Sequence, residues 1–180
     1  MSTLGVDDYG VYNVVGGVVA LFLSLKSMCA SSFQRFINFE KGRVNHEKVK
    51  EIFNTSVLIH IGIALLFVII VEIFGLYYIP TKMVLPVGML GTALFVFHCS
   101  VFTTAISIIT IPYDAVIIAN EKMNFYAWLA IIDSLLKLLI VFCIPLFPYE
   151  KLRTYSVLVL SVSIFIRIIS VKYSKRFPEC

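Results

Sequence analysis

The chain has 180 residues, 59% of them hydrophobic and only 14% charged, and its mean hydropathy is +0.94. An ordinary soluble domain is about 45–50% apolar and about 25% charged, and one this short lacks the interior to hide so much apolar surface. A water-soluble enzyme, a disordered chain and a cysteine-dense disulfide scaffold are therefore excluded. The net charge of +4 forms no nucleic-acid patch, because the basic residues stand at segment ends or singly inside apolar runs.

Five apolar runs are predicted as transmembrane helices, over residues 9–39, 52–78, 86–118, 125–147 and 152–171. Each reaches the roughly 20 residues that a spanning helix needs, and none alternates as a barrel strand would. The expected fold class is an all-α integral membrane protein with five spans and no soluble domain. At its start, Asp7 and Asp8 suit a helix N-terminus. The absence of Lys or Arg before Lys26 is the opposite of a signal peptide. Gly42 is the expected stop of the first helix, and the mixed charges of Glu40–Glu51 read as a solvated loop. Pro80 and Pro86 bracket an expected turn, Pro112 is expected to kink or break the third helix, and Pro145 and Pro148 close the fourth.

Charge orients these helices. Lys41, Arg43, Lys48, Lys50, Lys122, Lys172, Lys175 and Arg176 fall on one side, against Lys82, Lys151 and Arg153 on the other. The positive-inside rule puts the larger group in the cytoplasm, with the N-terminus outside and the C-terminus inside. An acidic, unsignalled start on the outside makes most sense if another span precedes it, so a truncated first helix is the expectation.

Three helices carry polar stripes. Asn13, Gly16, Gly17, Ala20, Ser24, Ser27, Ser31, Gln34, Arg35 and Asn38 share one arc of the first helix. Gly88, Thr92, Cys99, Thr103, Ser107, Thr110 and Asp114 share an arc of the third, and Ser156, Ser163, Arg167 and Ser170 an arc of the fifth. Such stripes form either a seam between helices, where small residues allow close approach, or the wall of a hydrated cavity.

Charges inside spans are costly, about 2.5–3.5 kcal/mol each at the bilayer centre, and so mark function or need a partner. Lys26 lies off the polar stripe and calls for another helix or an aqueous pocket. Asp133 and Lys137 stand at i and i+4 with the acid first, a self-neutralising pair or one that gates or couples transport. Arg35 and Arg167 lie nearer the cytoplasmic boundary, within reach of water by snorkelling. His60 and His98 read as lone interior histidines, and Glu72 as a boundary residue beside the aromatic belt of Tyr77 and Tyr78. Lys26, Arg35, Lys137 and Arg167 against Asp133 make the expected interior cationic, which suits a phosphate or diphosphate better than an organic cation. Cys29, Cys99, Cys143 and Cys180 show no metal-ligand spacing. Neither a cofactor nor a nucleic-acid partner is expected. No nucleophile, base and orienter occur together, so the chain does not read as an enzyme.

The opening Leu4-Gly-Val-Asp-Asp-Tyr-Gly-Val-Tyr-Asn-Val-Val-Gly-Gly17 resembles the segment after the first span of bacterial polysaccharide biosynthesis membrane proteins. These are the lipid-linked oligosaccharide (O-antigen) flippases of the MATE-like superfamily. Further matches are Gln34-Arg35-Phe36 with Glu40 and Gly42, Glu72 with Gly75-Leu76, Pro112-Tyr113 through Ile117-Ile118-Ala119 to Glu121 and Met123, and Leu136-Lys137-Leu138-Leu139. The resemblance covers essentially the whole chain and is strongest to the subgroup of Bacteroides-type bacteria. It implies an inner-membrane transporter of two six-helix lobes that moves undecaprenyl-diphosphate-linked glycans, used for lipopolysaccharide and other envelope polymers, to the periplasmic leaflet. This chain would then be spans two to six of the N-terminal lobe, without the first helix and the second lobe, and inactive alone. Gln34, Arg35, Glu72 and Lys137 match the family motifs, whereas Lys26 stands where an uncharged polar residue is expected. On this reading Lys26, Gln34, Arg35 and Arg167 handle the lipid-linked oligosaccharide, and Asp133–Lys137 is structural or gating. The rivals are a cation-coupled multidrug antiporter of the same fold and a non-transporting membrane remnant or assembly protein.

Overall fold

The computed structural model describes residues 28, 30–43, 46–82, 88–144 and 151–178. Lys26, most of the first expected span, and the prolines at 86, 145 and 148 lie outside them. The described residues form six helices and no strand: α1 over residues 30–42, then α2 (His46–Lys82), α3 (Leu90–Ile109), α4 (Ile111–Ala119), α5 (Met123–Cys143) and α6 (Lys151–Ser174).

Four of these, α2, α3, α5 and α6, are long and apolar enough to cross a membrane. Leu58, Leu65, Ile69 and Ile73 on α2, and Trp128, Leu135, Leu139 and Phe142 on α5, are large, apolar and exposed. A bundle with that exterior needs lipid rather than water around it.

Two local expectations are corrected. Glu40–Glu51 is not a loop: α1 continues to residue 42, and α2 begins at His46. Val49 and Phe53, one turn apart on α2, pack with Phe33 and Ile37 of α1 and with Ala115 and Val116 of α4. That i, i+4 apolar pair pulls a charged segment into helix. Pro80 does not open a turn but lies inside α2, two residues before its end. With 37 residues, α2 is about 55 Å long and overshoots a hydrocarbon core of about 30 Å. The expected break near Pro112 is present: α3 ends at Ile109 and α4 begins at Ile111. The N–H of Thr110 still bonds Ile106 O, and Pro112, which offers no N–H, enters at the start of α4, where that donor is not needed.

The helices run up and down, and contacts at both ends show it. Lys41 Nζ at the end of α1 donates to Ala119 O (3.2 Å) and to Asn120 Oδ1 (2.5 Å), placing a cation on the C-terminus of α4. Phe125 of α5 stacks on Tyr173 of α6 at 3.6 Å. The α1–α2 turn, the α4–α5 turn and the end of α6 thus form one end of the bundle, and the eight basic residues counted on one side of the chain sit there. At the other end Arg153 of α6 reaches over Phe95 of α3.

The main core lies between α2 and α3, where Ala64, Phe67 and Val71 meet Ala93, Val96, Phe97 and Val101. Gly75 of α2 makes this seam tight, since a Cβ there would overlap the Phe97 ring.

Candidate functional site

The break at Thr110 sets the geometry of the most polar junction. It restarts the helix so that Asp114 falls in the first turn of α4 and is buried there. Asp114 Oδ2 accepts from Arg167 Nη1 of α6 at 2.7 Å, and its Oδ1 accepts from Ser170 Oγ at 2.5 Å. A carboxylate bound by a guanidinium and a hydroxyl has its charge and its lone pairs met, which is what a buried ion needs. Beside it lies a cavity of about 170 Å³ whose walls include Asp114, Tyr126, Asp133, Ser134, Arg167 and Ser170. Asp133 in turn accepts from Lys137 Nζ at 2.7 Å, one turn along α5.

Asp133 and Arg167, on different expected spans, therefore line one chamber. The addition is Asp114, which was legible as a member of a polar stripe but absent from the tally of interior charge. With it, Arg167 and Lys137 each have a carboxylate partner. Arg167 does not snorkel; it crosses to α4. Among the described residues these two cations are held in matched pairs; Lys26 lies outside them.

A second junction joins α2 and α3. His98 Nδ1 lies 3.0 Å from Glu72 Oε1 and 2.8 Å from Oε2, so His98 is not a lone histidine and Glu72 is not merely a boundary group. His60 is buried, and its Nδ1–H donates to Ser56 O at 2.7 Å. The polar stripes of the third and fifth expected spans both reach the chamber, through Asp114 and through Arg167 and Ser170. Thr103, Thr110 and Ser156 turn their hydroxyls back to carbonyls of their own helices, while Ser170 reaches across.

The α1 stripe behaves differently. Ser31, Arg35 and Asn38 are exposed and Gln34 is half-buried, because α1 turns Phe33, Ile37 and Glu40 inward instead. Arg35 makes no ion pair among the described residues; with Ser32, Phe36 and Phe39 it lines a cavity of about 390 Å³. A larger one of about 520 Å³ between α1 and α2 shares Ser32 and Phe36 with it. Gln34 and Arg35 thus lie on a different face from Asp133, Lys137 and Arg167.

Among the described residues no three His, Cys, Asp or Glu side chains are grouped to hold a metal ion. Compared with known proteins, the chain matches no family model, no curated protein and no solved structure.

Proposed function

We infer that the chain is part of a transporter lobe that handles an undecaprenyl-diphosphate-linked oligosaccharide at the bacterial inner membrane. The resemblance of its motifs to polysaccharide flippases supports this, as does its build from apolar helices. The observation that carries the reading is Arg35. Two other candidate cations are neutralised by Asp114 and Asp133, whereas Arg35 is exposed and lines an open cavity near the basic end of the bundle. A guanidinium there, with Phe36 and Phe39 beside it, offers bidentate bonds to a diphosphate and apolar surface to the first isoprene units.

The test is Arg35→Ala in the chromosomal gene of the native cell. Surface glycan is expected to fall at least tenfold, lipid-linked precursor to accumulate, and Arg35→Lys to recover part of the export. Undiminished surface glycan in Arg35→Ala overturns the reading.

The cation-coupled antiporter also has an observation in its favour. Two carboxylates line the 170 Å³ chamber, and Asp114 pairs Arg167 there, which lowers the positive charge that argued against a cationic substrate. Efflux of a lipophilic cation that depends on Asp114 and Asp133 but not on Arg35 would favour it.

A further inference from the structure

The 520 Å³ groove between α1 and α2 holds two polar atoms with no partner. The Ser56 carbonyl, which can only accept, lies 2.7 Å from His60 Nδ1 and the Ser56 hydroxyl 3.1 Å from it. The closer contact fits the Nδ1–H tautomer, in which Nε2 is an acceptor. His60 is 4% exposed and its Nε2 has no hydrogen-bond partner. Glu40 is 9% exposed, and its Oε2 is equally unmatched, while Oε1 lies 3.8 Å from Arg43. Both residues line the same groove. A buried acceptor left unmatched costs about 1–3 kcal/mol, and unmatched groups of this kind in folded proteins call for an explanation.

Both orphans are acceptors, so the missing occupant is a hydrogen-bond donor. Glu40 and Glu51 outnumber Lys48 on the lining, so a neutral donor suits that end better than an anion. The groove also has aromatic walls, Phe33 and Phe36, and hydroxyls at Ser32 and Thr55. Donors at two levels, a flat apolar face to stack on and hydroxyl neighbours together describe a sugar ring. Its O–H groups donate to carboxylate and imidazole, and its C–H face lies on aromatic carbon. The shared wall of Ser32 and Phe36 joins this groove to the cavity of Arg35. We propose that the groove is a carbohydrate subsite for uncharged sugars, seated next to the Arg35 cavity. This rests on the flippase reading for the identity of the natural ligand, in which the sugars nearest the diphosphate would fill it.

The probe is methyl β-glucoside at millimolar concentration, with methyl β-glucuronide as its anionic counterpart. Saturation-transfer NMR is recorded on the purified chain in nanodiscs. Transfer to the neutral glycoside is expected, at least tenfold stronger than to the glucuronide. His60→Phe, which keeps a ring but removes Nε2, and Glu40→Leu are each expected to lower it at least fivefold. Because those two sites are buried, Ile59→Trp serves as the second variant. Ile59 is exposed and lines the groove, so the larger ring plugs it without entering the core. Absent transfer to the neutral sugar, equal transfer to the glucuronide, or full transfer in Ile59→Trp would each overturn the proposal. Arg35→Ala separates the two readings. Sugar binding that persists while surface glycan is unaffected keeps the subsite and removes the flippase. Lost surface glycan with no sugar binding in the wild type does the reverse.

Discussion

Helices α3 and α5 are nearly twins in length and hydropathy, 20 residues at 1.8 and 21 at 2.0, yet 44% of the apolar stretch of α3 is buried in the bundle against 11% for α5. Side-chain size separates them. α3 is built on Gly91, Ala93, Cys99, Ser100, Thr103, Thr104 and Ala105, and α5 on Leu135, Leu138, Leu139, Phe142 and Trp128. In lipid a large apolar side chain gains little by turning inward, whereas small residues let backbones approach and their contacts accumulate. Hydropathy decides which segments leave water; small residues decide which of those become the centre.

The charges repeat the contrast. α5 neutralises itself with Asp133–Lys137 inside one helix. The central helices use pairs between elements, Glu72–His98 for α2–α3 and Asp114–Arg167 for α4–α6. Substitutions that empty or unpair the centre should therefore cost far more than the same changes on α5. The largest expected effect is Phe97→Ala, at about 3–5 kcal/mol, because the ring is fully buried against Gly75. Unfolding in mixed micelles measures it, and a loss under 1 kcal/mol would mean that the α2–α3 seam is not the core. Asp114→Ala comes next at about 3 kcal/mol. That is the low end for breaking a buried pair, since the Arg167 side chain keeps 24% exposure. The double variant Asp114→Ala with Arg167→Leu is expected to recover most of it; no recovery would show that the pair is not what the single change breaks. Third, Gly75→Val overpacks the same seam and costs about 1–3 kcal/mol, with Phe97→Leu restoring part of the loss in the same assay.

The asymmetry between one-helix and two-helix information also explains what could be read beforehand. The four long apolar helices and the interruption near Pro112 were legible because hydropathy and a missing N–H act within one segment. So was the Asp133–Lys137 pair, whose members stand one turn apart. Asp114 and Arg167 are 53 positions apart, and nothing in either stripe states which residue of the other it faces. Glu72 and His98 are a similar case. Glu40–Glu51 was misread because its seven charges mask the Val49–Phe53 pair, whose burial depends on α4. The inward turn of Phe33, Ile37 and Glu40 left the polar stripe of α1 exposed, for the same reason: a partner's surface chose between two usable faces.

The smallest effects sharpen the comparison most. Asp133→Asn removes an intrahelical partner from Lys137, whose side chain is 39% exposed, so the expected loss is about 1 kcal/mol or less. Phe142→Ala is expected to change stability by no more than about 0.5 kcal/mol, although the same truncation at Phe97 costs several times more. Phe142 is 73% exposed and so loses few contacts with the chain itself. The pair of phenylalanines isolates position from chemistry, since the deleted atoms are identical. If Phe142→Ala destabilises as much as Phe97→Ala in the same micelles, the outer face of α5 is covered by protein, and its apolar surface belongs to an interface rather than to lipid.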